Sequence, residues 1–256
     1  MKKTILISGA TAGIGEACAL DFAKKAHRLI ISGRREERLL KLQEKLESEF
    51  NISVLPLCFD IRNQKEVVAS IASIPPEYRA IDVLVNNAGL AAGVNPVDKG
   101  AIEDWEQMID TNLKGLLYLT KELIPIMKER KSGHIINIGS IAGKMTYPNG
   151  NVYCATKSAV QSLTEGMRID LLPYGIKVSQ VAPGAVETEF SLVRLKGDIS
   201  AAKKVYDGYQ PLKADDIANV VSFIASLPPH INVNDILVMP TAQANAYIFN
   251  KTKPDS

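Results

Sequence analysis

The opening stretch constrains the fold most. Thr4-Ile5-Leu6-Ile7 is an unbroken apolar run, and it leads straight into Ser8-Gly9-Ala10-Thr11-Ala12-Gly13-Ile14-Gly15 and then an amphipathic segment over residues 14–25. A short continuous run of branched residues is a strand buried on both faces. Glycines in the pattern Gly-x-x-x-Gly-x-Gly allow a tight turn into a helix and close approach of the backbone to a ligand. The helix then presents unpaired N–H groups, which suit phosphate. Gly9, Ala10, Thr11, Ala12, Gly13, Ile14 and Gly15 are therefore read as a phosphate-binding turn, against the plainer reading of a tight strand-to-helix connection.

The alternation continues along the chain. Further strands are expected over residues 29–32, 53–59, 82–86, 134–138, 177–181 and 235–239. Helices are expected over residues 35–50, 64–74, 101–131, 152–172 and 215–227, the long one bent at Pro125. Branched runs separated by helices predict an α/β fold: a Rossmann-like, doubly wound parallel sheet of about seven strands with helices on both faces. Ligands bind such sheets beyond the carboxyl ends of the strands. With 256 residues, 46% of them hydrophobic, the chain reads as a single domain over 1–256, and the polar tail at 251–256 is expected to fray.

Composition removes several function classes. A net charge of +2 carries no basic field for nucleic acid. No apolar run approaches the roughly 20 residues of a membrane span, and the apolar stretch after Met1-Lys2-Lys3 is too short for a signal peptide. Cys18, Cys58 and Cys154 are odd in number and scattered, which fits a reducing cytoplasm. Cys154 has no histidine close in sequence and reads as a packing thiol. His27, His134 and His230 lack metal-ligand spacing, so no metal site is expected.

At the nucleotide end, the second strand runs into Ser32-Gly33-Arg34-Arg35, with no carboxylate before Glu36. An acidic residue there would hold a ribose 2′-hydroxyl, whereas Arg34, with Arg35 beside it, can pair a 2′-phosphate. The expected cofactor is NADP. Asp60, in Cys58-Phe59-Asp60-Ile61, either accepts from an adenine amino group or caps a nearby turn. Asn87, in Asn86-Asn87-Ala88-Gly89, belongs to a segment small enough to lie against a ribose.

At the other end, Ser140 follows the fifth strand, and Tyr153 and Lys157 are one helical turn apart on a common face. This set suits hydride transfer between a nicotinamide and a carbonyl carbon. Tyr153 would exchange the proton, and Ser140 would hold the substrate oxygen. A free tyrosine titrates near ~10, so poising it near ~7 takes about 4 kcal/mol, for which Lys157 and the nicotinamide are the nearby charges.

The pieces Gly9-x-x-x-Gly13-x-Gly15, Asn86-Asn87-Ala88-Gly89, Asn112, Ser140, Tyr153-x-x-x-Lys157 and Pro183-Gly184 together resemble the short-chain dehydrogenase/reductase family over essentially the whole chain. The resemblance implies that Lys157 also bonds the nicotinamide ribose. It further implies that Asn112 kinks its helix and relays protons to Lys157 through a water. Pro183, Gly184, Ala185, Val186 and Thr188 would cover the nicotinamide amide and the phosphates. It also implies a homotetramer built partly on the long helices, and residues 242–249 offer an apolar stretch for a further interface. Asp104-Trp105-Glu106, Phe190 to Arg194 and Ile236 to Gln243 resemble the NADP-dependent 3-hydroxy acid dehydrogenases, which act on serine, allo-threonine and 3-hydroxypropionate. Between Val186 and Thr188 this chain has Glu187 alone, one residue fewer than a common variant. Residues 188–212 are the expected substrate lid, and Arg194 within it is a candidate partner for a substrate carboxylate. A broad ketone or diketone reductase is the main alternative. A non-catalytic NADP-binding sensor is a distant one, since the catalytic set is complete, and a flavodoxin-like domain would share the alternation without the Tyr-Lys pair.

Overall fold

The computed structural model describes residues 2–252, so Met1 and residues 253–256 of the expected fraying tail lie outside the described residues. In chain order the elements are β1 (Thr4–Ser8), α1 (Gly13–Lys24), β2 (Arg28–Gly33), α2 (Glu36–Phe50), β3 (Val54–Cys58), α3 (Gln64–Ala72) and β4 (Ile81–Asn86). There follow α4 (Ile102–Ile109), α5 (Leu116–Arg130), β5 (Gly133–Ile138), α6 (Asn151–Leu171) and β6 (Ile176–Pro183). The last are β7 (Val186–Glu187), α7 (Phe190–Arg194), α8 (Ile199–Lys204), β8 (Leu212–Lys213), α9 (Ala214–Ser226) and β9 (Asp235–Val238).

Seven strands form one sheet in the order β3-β2-β1-β4-β5-β6-β9, with every pairing parallel. The order reverses between β1 and β4, which opens a crevice at the carboxyl ends there. Successive residues of β1 feed opposite cores. Ile5 and Ile7 pack with Phe22, Leu39, Leu46, Val221 and Ile224 on one face, while Leu6 packs with Val67, Leu119, Leu123 and Met127 on the other. Burial on both sides is why these strands read as continuous apolar runs rather than alternating ones.

One expectation changes, and one segment gains detail. The helix expected over 101–131 is two helices joined by a π-helical segment, Asp110–Gly115, while Pro125 is accommodated inside α5. The wider turn has a local cause. The Asn112 carboxamide exchanges two hydrogen bonds with the backbone of Leu90, and at Gly115 a β-carbon would come 2.9 Å from Ile61. Second, residues 188–212 contain the short helices α7 and α8. A two-residue parallel ladder, Val186 with Leu212 and Glu187 with Lys213, ties their ends. Among the described residues no helix is long and apolar enough to cross a membrane.

His134 lies buried in β5, against Ser179 at 2.8 Å, and Ser179 in turn donates to Asn232. Burial, with Lys177 and Lys3 adding to it, lowers its pKa to about 3. The folded state thus holds the neutral ring, and protonation is easier in the unfolded chain. This contribution to stability is complete above the ordinary histidine value of about 6.5 and is lost as pH falls below it, by up to about 1.4 kcal/mol per unit. Chemical denaturation at successive pH values should show a shallower acid slope for His134→Gln than for the wild type.

Candidate active site

The carboxyl ends of β1, β4, β5 and β6 open into a cleft of about 360 Å³. Its floor is the glycine turn. Gly9 and Gly13 adopt φ of +66° and +57°, the left-handed region that favours glycine. Ser8 Oγ accepts from the N–H groups of Asn87 and Ala88, each at 3.1 Å. The Asn87 amide donates to the carbonyls of Ser8 and Gly9 at 3.0 and 3.1 Å. This bonding clamps the turn to the loop after β4. Gly9, Thr11, Ala12, Gly13, Ile14 and Asn87 line the cleft. The cap residue of α1, Ala12, has no side chain to satisfy the first helical N–H groups, so they are available to an anion. Ala10 and Gly15 do not line the cleft. Ala10 is buried and donates to Ser32 O at 3.0 Å. A β-carbon at Gly15 would sit 2.3 Å from Gly9 O, so its role is to let the helix approach the turn.

Arg34 and Arg35 line the mouth of the cleft and differ in their bonding. Arg35 is engaged: Nε and Nη2 donate to Thr11 Oγ1 at 3.1 and 2.8 Å, and Nη1 donates to Glu189 at 3.2 Å. Among the described residues the Arg34 side chain has only a 3.7 Å contact with Asp60, which leaves its fork open toward the cleft. Asp60 is bonded within its own turn. Its carboxylate accepts from Arg62 through Nε, Nη2 and the backbone N–H, and Phe59 and Ile61 line the cleft in its place.

At the other end Ser140, Tyr153 and Lys157 converge on the cleft, with Tyr153 and Lys157 buried to 9% and 7% exposure. Burial pushes the Tyr153 phenol well above its ordinary value. The neighbouring Tyr147 adds to this, and the hydrogen bond with Ser140 and the charge of Arg194 oppose it. Lys157 lies in the same cleft. Its ammonium is 6.0 Å from the Tyr153 ring centroid and donates to Ile138 O at 2.9 Å. Burial lowers the Lys157 pKa to about 8. Asn112 lies behind the cleft wall. Besides Leu90 it donates to Thr156 Oγ1 at 3.0 Å, and a β-carbon on Gly89 would meet both its Oδ1 and Lys157 Nζ, at 3.2 and 3.5 Å.

Pro183, Gly184, Val186 and Thr188 form the opposite wall, while Ala185 donates its N–H to Gln243 Oε1 at 2.8 Å and holds that wall from behind. Arg194 lies beside the cleft, in a small adjoining pocket with Trp105 and Tyr153. Its guanidinium stacks 5.3 Å from the Tyr147 ring centroid, and its buried Nε has no hydrogen-bond partner among the described residues. Tyr147 and Glu189 were not singled out from the sequence, and both come to the site through long-range contacts. Phe190 and Gln243 lie in runs that carry the resemblance, but their contacts with Tyr153 and Ala185 are long-range too.

The family model described as short chain dehydrogenase matches residues 3–196. The chain is 46% identical over 243 residues to the NADP-dependent 3-hydroxy acid dehydrogenase YdfG of Salmonella typhi, covering 94% of this chain and 96% of that protein. It is 44% identical over 245 residues to sulfoacetaldehyde reductase 2 of Chromohalobacter salexigens, covering 95% and 96%. The solved closed form of a serine dehydrogenase complexed with NADP+ superimposes with a TM-score of 0.91 at 43% identity, over 98% of this chain and 100% of that one. The chain belongs to the short-chain dehydrogenase family and is an oxidoreductase of that family.

The crowding at Gly15 sets a test of the turn. Gly15→Ala forces a methyl group against Gly9 O and the Asn87 amide, and overpacking of this kind costs about 1–3 kcal/mol. Thermal denaturation should show a lowered melting temperature.

Proposed function

We propose that this short-chain dehydrogenase uses NADP to oxidise small 3-hydroxy acids or to reduce the matching carbonyl acids. Tyr153 is its general acid and base. The observation that carries this reading is one cleft holding both halves of the chemistry: an uncapped helix N-terminus beside the loosely held Arg34 fork, and a buried Tyr153 phenol lining the same cleft as Ser140. When bound, the nicotinamide supplies or takes up the hydride. Ser140 orients the substrate oxygen, and Tyr153 delivers or removes its proton. Lys157, held by Ile138 O, lines the cleft close to Gly89, consistent with the ribose-binding role that the family suggests. Asn112 fixes the loop wall at Leu90 and stands next to Lys157, consistent with the proton-relay role that the family suggests.

Arg194 supports an acidic substrate. A guanidinium with an unpartnered buried Nε, beside Tyr147 and Tyr153, suits a carboxylate two carbons from the reacting centre. The named substrates of the relatives fit this chemistry, since each carries a carboxylate or sulfonate close to its alcohol or aldehyde. Residues 188–212 serve as the lid that closes over such a substrate. Exposed Ile102, Ile109, Leu117, Ile169 and Leu172 on and beside α4, α5 and α6 would supply contacts of a homotetramer. The exposed thiol of Cys58 suits a reducing cytoplasm.

A panel of L-serine, D-serine, L-allo-threonine, 3-hydroxypropionate and simple secondary alcohols with NADP tests the substrate class. Turnover confined to uncharged alcohols would sink the acid reading. Tyr153→Phe should lose about 10²–10⁴-fold in turnover while still binding NADPH in a fluorescence titration. Arg194→Ala should raise KM for the hydroxy acid about tenfold or more and leave an uncharged alcohol unaffected. Arg34→Ser should raise KM for NADPH by about 10–100-fold with little change for NADH.

A further inference from the structure

Three consecutive residues after β7 touch three separate parts of the cleft. Thr188 packs on the phosphate turn, where a β-carbon on Gly13 would lie 3.3 Å from the Thr188 Cβ. The Phe190 ring stands 5.6 Å from the ring of Tyr153. Between them Glu189 spreads its carboxylate over two arginines at the start of α2. Arg35 Nη1 donates to Oε2 at 3.2 Å, and Arg38 Nη1 donates to Oε1 and Oε2 at 2.9 and 3.0 Å. Partial burial raises the Glu189 pKa, but the bonds and charges of Arg38 and Arg35 outweigh this and hold the carboxyl below its ordinary value.

These contacts run from α2 on one lip of the cleft to α7 on the other. Arg35 is also braced from behind by Thr11, a residue of the phosphate turn. With two nitrogens on Thr11 and the third on Glu189, Arg35 has little left for a phosphate, whereas Arg34 remains open. We propose that Glu189 is a positioning residue that latches the 188–212 segment across the cofactor cleft through Arg35 and Arg38, leaving recognition of the 2′-phosphate to Arg34. The proposal rests on the cofactor reading above. A single exposed ion pair contributes little, but one carboxylate shared between two arginines is a small network. Its members are close to half-exposed, so salt should weaken it. While the latch is closed, the chain on both sides of Glu189 stays packed on the glycine turn and on Tyr153. A bound dinucleotide can leave only after it opens.

Stopped-flow measurement of NADPH and NADH release tests the assignment. Glu189→Gln should release both cofactors about three- to tenfold faster, by the same factor. Arg34→Ser should speed release of NADPH alone. High salt should speed NADH release from the wild type but scarcely from Glu189→Gln. Arg38→Glu should behave like Glu189→Gln, and combining Arg38→Glu with Glu189→Arg should restore slow release, which a general loss of structure could not do. Unchanged release from Glu189→Gln would overturn the latch. So would slower release of NADPH only, which would make Glu189 a competitor of the 2′-phosphate for the arginines. A wild-type protein that binds neither nucleotide would overturn the cofactor reading itself.

Discussion

The cleft depends on how the chain satisfies its backbone polar groups once the parallel strands end. Inside the sheet the five central strands pair with a neighbour on each side. Beyond the carboxyl ends the chain must turn, and buried turns need other partners. Side chains supply them here. Ser8 and Asn87 hold the glycine turn to the loop after β4, Asn112 holds Leu90, and Gln243 holds Ala185. These walls around the proposed reaction are fixed largely by uncharged polar groups, with the Glu189–Arg35–Arg38 network added at the mouth of the cleft.

Burial then sets the resting chemistry. The chain's own groups keep the Tyr153 phenol protonated across the neutral range, because burial outweighs Ser140 and Arg194. In that state the phenol is ready to give a proton, as reduction requires. To take one in the proposed oxidation it needs more positive charge in the cleft. Lys157, whose pKa burial lowers to about 8, is still mostly protonated at neutral pH and lies 6.0 Å from the Tyr153 ring centroid, so it is one source of that charge.

Much of this was legible in the sequence, and the reasons are local. The strands are short and apolar on both faces, so Ile5 and Leu6 give the same signal although they enter different cores. The glycine turn and the Tyr153-Lys157 pair are close in sequence because each is formed by one connection or one helical turn. What escaped notice depends on partners far along the chain. The ladder of β7 and β8 joins residues 26 positions apart by two residues each, too few for a periodic pattern. Glu189 lies more than 150 positions from Arg35 and Arg38, and nothing near it in sequence reports the pairing. Asp60 offered two chemically equal roles, and its pairing with Arg62 is a feature that neither role alone predicts.

The π segment at Asp110–Gly115 also sets a phase. Each residue of an α-helix advances the chain by about 100° around its axis, and a π turn inserts one residue more than the α-helix would use. The buried stripe of α5, Leu116, Leu119, Leu123 and Met127, meets the sheet with that extra residue in place. Deleting one position there would let a continuous α-helix form, but it would swing that stripe by about a quarter of a turn or more relative to α4. The segment thus acts as a phase shifter. A single surplus residue lets α4 face Tyr153 and α5 face the sheet along what is otherwise one rod, so changes of chain length should be tolerated far less within it than in the loops on either side.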